Sequence, residues 1–191
     1  KCWGDNSYGQ LGHGNTSTAS DGNNEMGANL AFVPLGSNRT AIDIAVGEVH
    51  ACAILDNGSV KCWGYNGHGR TGYETSSDNT GDDLSEIWGD NLAFVDLGTG
   101  RTATQIDAGE KHTCALMDDG SVKCWGSGVG GALGYEDAQS RGLAQQQMGN
   151  YLPVVDLGTG IHATSIDVGE SFACAIMNNT MLKCWGTGLE G

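Results

Sequence analysis

The motif Lys-Cys-Trp-Gly occurs four times in this chain of 191 residues, and its lysines are Lys1, Lys61, Lys123 and Lys183. Successive lysines are 60, 62 and 60 residues apart. A fixed period of this kind is typical of an array that repeats one supersecondary unit. This spacing predicts a single repeat array with a partial motif at each end. We interpret the chain as a segment of a longer protein. Its repeats are approximately 5–64, 65–126 and 127–186.

Short apolar runs recur within each repeat, and residues rich in Gly, Asn, Asp and Ser separate them. Such runs, bounded by turn residues, are typical of β-strands. Four short strands per repeat predict an all-β fold of the β-propeller type, with about three blades of a longer or multi-chain array. In the first repeat the predicted strands are 31–35, 41–46, 50–55 and 59–64.

The cysteines recur in pairs ten residues apart, on the last two predicted strands of each repeat. Folding each hairpin about its turn brings the two cysteines of a pair opposite each other, close enough for a disulfide bond. Buried free thiols and a metal site are the alternatives, although the spacing lacks the C-x2-C pattern of zinc sites. We predict the pairs Cys52–Cys62, Cys114–Cys124 and Cys174–Cys184, and a partner outside the chain for Cys2.

The charge balance and the oxidised cysteines restrict the partners and the compartment. Lys and Arg number 9 against 23 Asp and Glu, a net charge of −14. Such a surface repels phosphate groups, so we expect neither nucleic acid nor anionic lipid as a partner. No run of 18 apolar residues predicts a membrane span. Disulfide bonds persist in oxidising compartments, so the protein is expected to be extracellular, secreted or on the cell surface.

Several motifs together resemble the regulator of chromosome condensation repeat. They are GEVHACAI at 47–54, VKCWG at 60–64 and NSYGQLG at 6–12, and the resemblance extends over essentially the whole chain. It implies a β-propeller, commonly one of seven blades, so that further blades or neighbouring chains would complete the ring. The paired cysteines are similar to those of exported members. The GQLG element changes to GRTG at 69–72, and no residue for guanine-nucleotide exchange can be carried over.

No catalytic constellation is apparent in the sequence, and we predict that the protein is not an enzyme. His50 and His112 occupy equivalent positions, but the third repeat has Phe172 there. A position that accepts Phe is expected to serve packing rather than catalysis. The tryptophans of the motif are expected to fill space between blades. Glu48, Glu110 and Glu170 recur after Gly and could form a ring of carboxylates.

An acidic stretch at 78–90 contains no basic residue, and a bound calcium ion would reduce the repulsion between its carboxylates. The alternative is a solvated acidic loop, since the spacing is not that of an EF-hand. No other cofactor is expected. The candidate calcium ligands are Asp78, Asp82, Asp83, Glu86 and Asp90.

Four Asn-x-Ser/Thr sequons are candidate glycosylation sites, if the cell that makes the protein attaches glycans. They lie at Asn15, Asn38, Asn57 and Asn178.

These features favour a structural repeat scaffold, extracellular or at the cell surface, that acts by protein–protein interaction. Self-association with identical chains or further repeats is expected, because unpaired strand edges can add another chain and form a fibre. One alternative is an adhesion or ligand-binding module that uses the inserts, with calcium or glycans. A second is a guanine-nucleotide exchange regulator, which only the resemblance suggests.

Overall fold

The computed structural model describes residues 1–19, 22–75, 79–83, 85 and 89–187. Among these residues, ten β-strands form three antiparallel sheets, in the orders β1-β2-β3-β4, β5-β6-β7 and β8-β9-β10. Each sheet is one blade, so the all-β prediction is confirmed. The strands are β1 Ala41–Val46, β2 His50–Leu55, β3 Val60–Tyr65, β4 Asn79–Thr80, β5 Ala103–Ala108, β6 His112–Met117, β7 Val122–Gly126, β8 Ala163–Val168, β9 Phe172–Met177 and β10 Leu182–Gly186; the 3-10 helical turns are Gly67–Gly69, Val129–Gly131 and Gly149–Tyr151.

The central hairpin of each blade has the register that the cysteine spacing predicts. Cys52 on β2 pairs directly with Cys62 on β3, and their Cα atoms are 4.0 Å apart. The structure contains disulfide bonds at this pair, at Cys114–Cys124 and at Cys174–Cys184, whereas Cys2 is free.

The glycine that follows each tryptophan is required by the backbone at the end of the third strand. Gly64 has a φ of 103°, which residues other than glycine rarely adopt. A Cβ atom there would lie 2.5 Å from the Val49 carbonyl oxygen. The Trp-Gly part of the motif therefore reflects a close approach of two backbone segments.

The first predicted strand of each repeat is not a strand in the structure. These segments are 31–35, 93–97 and 152–157. Each of the last two segments donates a single backbone hydrogen bond to the third strand of a blade. Val95 donates to the Val60 carbonyl on β3, and Val155 donates to the Val122 carbonyl on β7. Their apolar pattern reflects burial, because Val95 and Leu97 are both 5% exposed. The prediction was wrong because a β-strand and a buried segment without strand pairing have the same short apolar run in the sequence.

The fourth strand instead comes from the insert after the Trp-Gly motif. In the first blade this is β4, where Thr80 pairs with Gly64. Isolated bridges at Gly4–Ala19 and Gly126–Arg141 occupy the equivalent place. The first two sheets therefore extend past the Trp-Gly position at which the sequence repeats were divided.

The hydrophobic core lies between successive blades. One cluster joins Cys52, Ile54 and Val60 of the first blade to Ile106 and other residues of the second. A second cluster joins the second blade to the third in the same way. Each disulfide of the first two blades therefore packs against the blade that follows it.

Candidate interaction surfaces

The lysine of each motif binds backbone carbonyl groups of the segments that surround its blade. Lys61 Nζ donates to the Gly89 carbonyl at 3.0 Å, and Lys123 Nζ donates to those of Leu97 and Gly149 at 3.0 and 2.7 Å. Both lysines are buried, and this desolvation lowers their pKa values. The sequence alone did not predict this role, although the recurrence of Lys beside Cys was its signal.

The tryptophan of each internal motif joins its blade to the loop of the preceding one. Trp63 Nε1 donates to the Gln10 carbonyl at 3.0 Å, and Trp125 Nε1 donates to the Arg70 carbonyl at 3.0 Å. The two side chains are almost fully buried. They fill the space between successive blades, as expected from their period.

The two equivalent histidines lie inside the interfaces between blades. His50 Nε2 lies 2.9 Å from Thr113 Oγ1, which donates in turn to the Arg70 carbonyl. Burial lowers the pKa of His50 to about 3, with smaller contributions from Arg70 and His112. Burial also lowers the pKa of His112 to about 4, and a hydrogen bond that the ring donates to the Phe172 backbone carbonyl opposes this shift. Both rings are therefore neutral near pH 7, and the hydroxyl that His50 meets is itself hydrogen-bonded to the Arg70 carbonyl.

The three repeated glutamates follow the C-terminal ends of strands β1, β5 and β8. Glu48, Glu110 and Glu170 line the same cavity of about 440 Å³, together with the glycines before them. The Glu110 carboxylate forms an ion pair with Lys111. The repeat therefore brings the three carboxylates to one rim of the array.

The candidate calcium ligands fall partly outside the described residues, because Asp78 and Glu86 are not among them. Asp83 accepts from the Ser85 backbone N–H at 2.7 Å. Asp90 accepts from Ser37, and Asp82 accepts from Asn79. Within the described ranges, no three His, Cys, Asp or Glu side chains form a group that could hold a metal ion. Calcium binding stays a prediction.

All four sequon asparagines are exposed. Asn57 Oδ1 accepts from the Ser59 N–H at 3.1 Å, and Asn178 Oδ1 accepts from the His162 N–H at 3.4 Å. Glycosylation at Asn15, Asn38, Asn57 and Asn178 stays a prediction.

One end face of the array is formed by strand β1. Ile44 is 53% exposed, whereas the equivalent Ile106 and Ile166 are each 3% exposed because a preceding blade covers them. Trp3 is also exposed on this side of the chain. The first blade thus presents the surface that the other two blades bury.

The opposite end face is formed by β9 and β10. Leu182 is 63% exposed, although its equivalents Val60 and Val122 are fully buried. Ile176 is exposed as well, and the Cys174–Cys184 disulfide belongs to the same strands. Each face is therefore apolar where a further blade would pack.

In the part of the chain that the structure describes, no helix has the length and apolar character needed to cross a membrane.

Curated proteins from animals and plants are similar to this chain. The human E3 ubiquitin-protein ligase HERC2 is 28% identical over 187 residues, which are 97% of this chain and 3% of that protein. The ultraviolet-B receptor UVR8 of Arabidopsis thaliana is 32% identical over 139 residues, which are 73% of this chain and 28% of the receptor. The chain thus spans only a minor part of these relatives.

Among solved structures, Prp20p from Saccharomyces cerevisiae matches 98% of this chain and 41% of its own, with a TM-score of 0.63 and 20% identity. Yeast RCC1 (Prp20) bound to Kap60 matches with the same TM-score and 22% identity. These matches show the fold.

Two family models describe the same repeat in this sequence. One matches residues 2–54, and the other matches residues 41–70 and 103–131. The matched residues contain the Gly-Glu-x-His and Lys-Cys-Trp-Gly elements of the first two blades. The chain therefore belongs to the regulator of chromosome condensation (RCC1) repeat family.

Proposed function

We propose that this chain is part of a disulfide-stabilised interaction scaffold, without enzymatic activity, whose partners are proteins. Its two apolar end faces bind further blades of the same kind, from the same protein or from identical chains. Repeated addition at both faces would produce a fibre or a closed ring.

The exposure of Ile44 supports this proposal most strongly. The same position is 3% exposed in the second and third blades, which follow another blade, and 53% exposed in the first. Exposed apolar surface of this kind favours association, because burying it removes apolar area from water. A blade resembling the second or third blade offers the complementary surface.

An oxidising compartment is proposed from the disulfide bonds. Three bridges at equivalent positions hold three hairpins, and such bonds are rare where glutathione and thioredoxin keep thiols reduced. We accordingly place the protein outside the cytosol, either secreted or at the cell surface. Glycans on the exposed sequons are part of the same proposal.

The partners of the solved relatives are not carried over to this chain. The structure of Prp20p is known together with its binding properties to Gsp1p and histones. That likeness is at 20% identity and shows the fold alone, so an exchange-factor function would require its own evidence.

The assembly proposal is tested with Ile44→Glu and with Ile42→Glu as the matched control. Ile42 is 63% exposed, and the equivalent Thr104 on β5 is exposed as well, so no blade is expected to cover this position. Light scattering after size exclusion should show that the unaltered chain and Ile42→Glu associate, whereas Ile44→Glu has a smaller mass. Equal masses for all three chains would contradict the proposal, and electron microscopy then distinguishes fibres from rings.

A further inference from the structure

The interface between the first and second blades contains a buried arginine. Arg70 is 1% exposed, and its Nε donates to the Gly67 carbonyl at 2.9 Å. Its Nη1 donates to the Glu110 carbonyl at 2.9 Å, and the guanidinium lies 5.0 Å from the Tyr65 ring centroid. Glu48 and Glu110 interact favourably with this charge. The interface is thus built around a guanidinium group.

The interface between the second and third blades lacks that side chain. Ala132 takes the place of Arg70, with the same 62-residue offset that relates His50 to His112. A cavity of about 420 Å³ lies there, lined by Ala132, His112, Glu110 and Glu170 among others. Glu110 and Glu170 are the equivalents of Glu48 and Glu110 in the preceding interface. The two glutamates around the guanidinium are therefore repeated without the guanidinium, and Ser127 stands at the position of Tyr65.

A buried imidazole with one unpaired nitrogen lines this cavity. His112 is 1% exposed, and its Nε2 atom has no partner. In the preceding interface the equivalent His50 Nε2 meets the hydroxyl of Thr113, but the third blade has Ala173 at that position. A buried nitrogen of this kind costs free energy unless a ligand or water binds it.

The charges around the cavity favour a cation. Lys111 pairs with Glu110, and its side chain remains 45% exposed. Within the described residues, Glu170 forms no ion pair. The remaining carboxylate and the Ser127 and Ser171 side chains of the lining supply acceptors suited to the planar array of guanidinium donors.

We infer that the cavity between the second and third blades is a binding site for a guanidinium group, such as the arginine side chain of a partner protein. The site lies between the second and third blades, and its lining includes neither Ile44 nor Leu182, so its test is independent of the assembly proposal. The net charge of −14 draws cationic partners toward it.

The direct test titrates the full 191-residue chain with methylguanidinium and, as the control cation, methylammonium. The imidazole signals of His112 are followed by NMR. Methylguanidinium should shift them saturably, and methylammonium should shift them far less. Equal shifts from both cations, or no shift from either, would overturn the inference.

Two variants localise the effect. Ala132→Arg should fill the cavity with the chain's own guanidinium, abolish the shift of His112 and raise the melting temperature. If Ala132→Arg does not fold, Glu170→Gln replaces it and should weaken methylguanidinium binding by about tenfold, because a charged acceptor is lost. Unchanged binding in the variant used would refute the site.

A complementary experiment opens the equivalent site in the preceding interface. Arg70→Ala should lower the melting temperature. Methylguanidinium should raise the melting temperature of this variant more than methylammonium does. Failure of this rescue would count against a guanidinium preference.

The source of the group is determined with two capped tripeptides, Gly-Arg-Gly and Gly-Lys-Gly. Binding of the arginine peptide alone, at least as tight as that of methylguanidinium, indicates a protein partner. Binding of methylguanidinium without either peptide indicates a small guanidinium compound. Preference for the lysine peptide would contradict the proposal.

Discussion

At the scale of single residues, the buried lysines show how one side chain joins segments that are distant in the sequence. Lys123 satisfies two backbone carbonyls, those of Leu97 and Gly149, which lie 26 residues before and after it. Unsatisfied buried carbonyls are costly, so a long cationic donor stabilises both segments at once. This contact explains why each motif begins with a lysine.

Lys123→Met should destabilise the chain by about 1–3 kcal/mol, because the two carbonyls lose a charged donor. Urea denaturation measures the loss. Lys183→Met is the matched control, since Lys183 is exposed and, within the described residues, donates to the Leu157 carbonyl alone. A loss at Lys123 no larger than that at Lys183 would show that the two-carbonyl contact contributes nothing measurable.

His112 should make stability depend on pH. Its pKa falls from 6.5 in the unfolded chain to about 4 in the folded chain because of burial. Between these values the unfolded chain binds more protons, so stability is fully present above about pH 6.5 and is lost as the pH falls toward 4. The loss attributable to this group is on the order of 2 to 3 kcal/mol.

His112→Phe, which copies Phe172 of the third blade, should lose less stability than the unaltered chain between pH 7 and pH 4. Urea denaturation across this range measures the difference. The control is His162→Phe, because the His162 side chain is exposed. Parallel pH profiles for the unaltered chain and His112→Phe would be inconsistent with a buried neutral imidazole.

At the scale of structural elements, the disulfide-bonded hairpin is the unit that the repeat copies. Strands β2 and β3 pair in register across Cys52 and Cys62, and β6–β7 and β9–β10 do the same. The first two bridges are completely buried against the following blade, while Cys184 of the third is exposed. The same hairpin therefore has different surroundings within the array.

Replacing both Cys114 and Cys124 with Ala should cost more stability than replacing both Cys174 and Cys184. The loss of either short loop constraint costs about 2–3 kcal/mol in the chain-entropy model. The internal pair should cost more, because its removal also leaves a cavity between two blades. Thermal unfolding of the two double variants measures the difference, and the reverse order would disprove the packing argument.

At the scale of the whole molecule, side chains on strands β1 and β5 join successive blades. Asp43 Oδ2 accepts from the Ile106 N–H at 3.1 Å, and Asp107 Oδ2 accepts from the Val168 N–H at 2.7 Å. Gln105 joins the second and third blades through the Ile166 backbone. Because each blade uses one face for its predecessor and the other for its successor, contact between chains is expected to be head to tail.

Mixing two variants should reveal that polarity. Ile44→Glu blocks one end face, and Leu182→Glu blocks the other. Neither variant should associate alone, but an equimolar mixture should form heterodimers that grow no further. Analytical ultracentrifugation measures the masses. Continued association of either variant alone would indicate a face-to-face contact instead.

The sequence by itself determined the repeat, the all-β class, the second and third strands of each blade and the pairing of Cys52, Cys114 and Cys174 with their partners. These features depend on a local period and on the register of short hairpins, which residue spacing reports directly. The family resemblance rested on the same local motifs.

Only the tertiary structure decided what the blades share. It moved the fourth strand into the insert, gave the motif lysine its distant carbonyls, and distinguished the interface filled by Arg70 from the one left open beside Ala132. These outcomes depend on which segments meet after the chain has folded, and residues as far apart as Arg70 and Glu110 carry no common local signal. Apolar runs such as 93–97 looked like strands because burial between blades and burial within a sheet select the same residues.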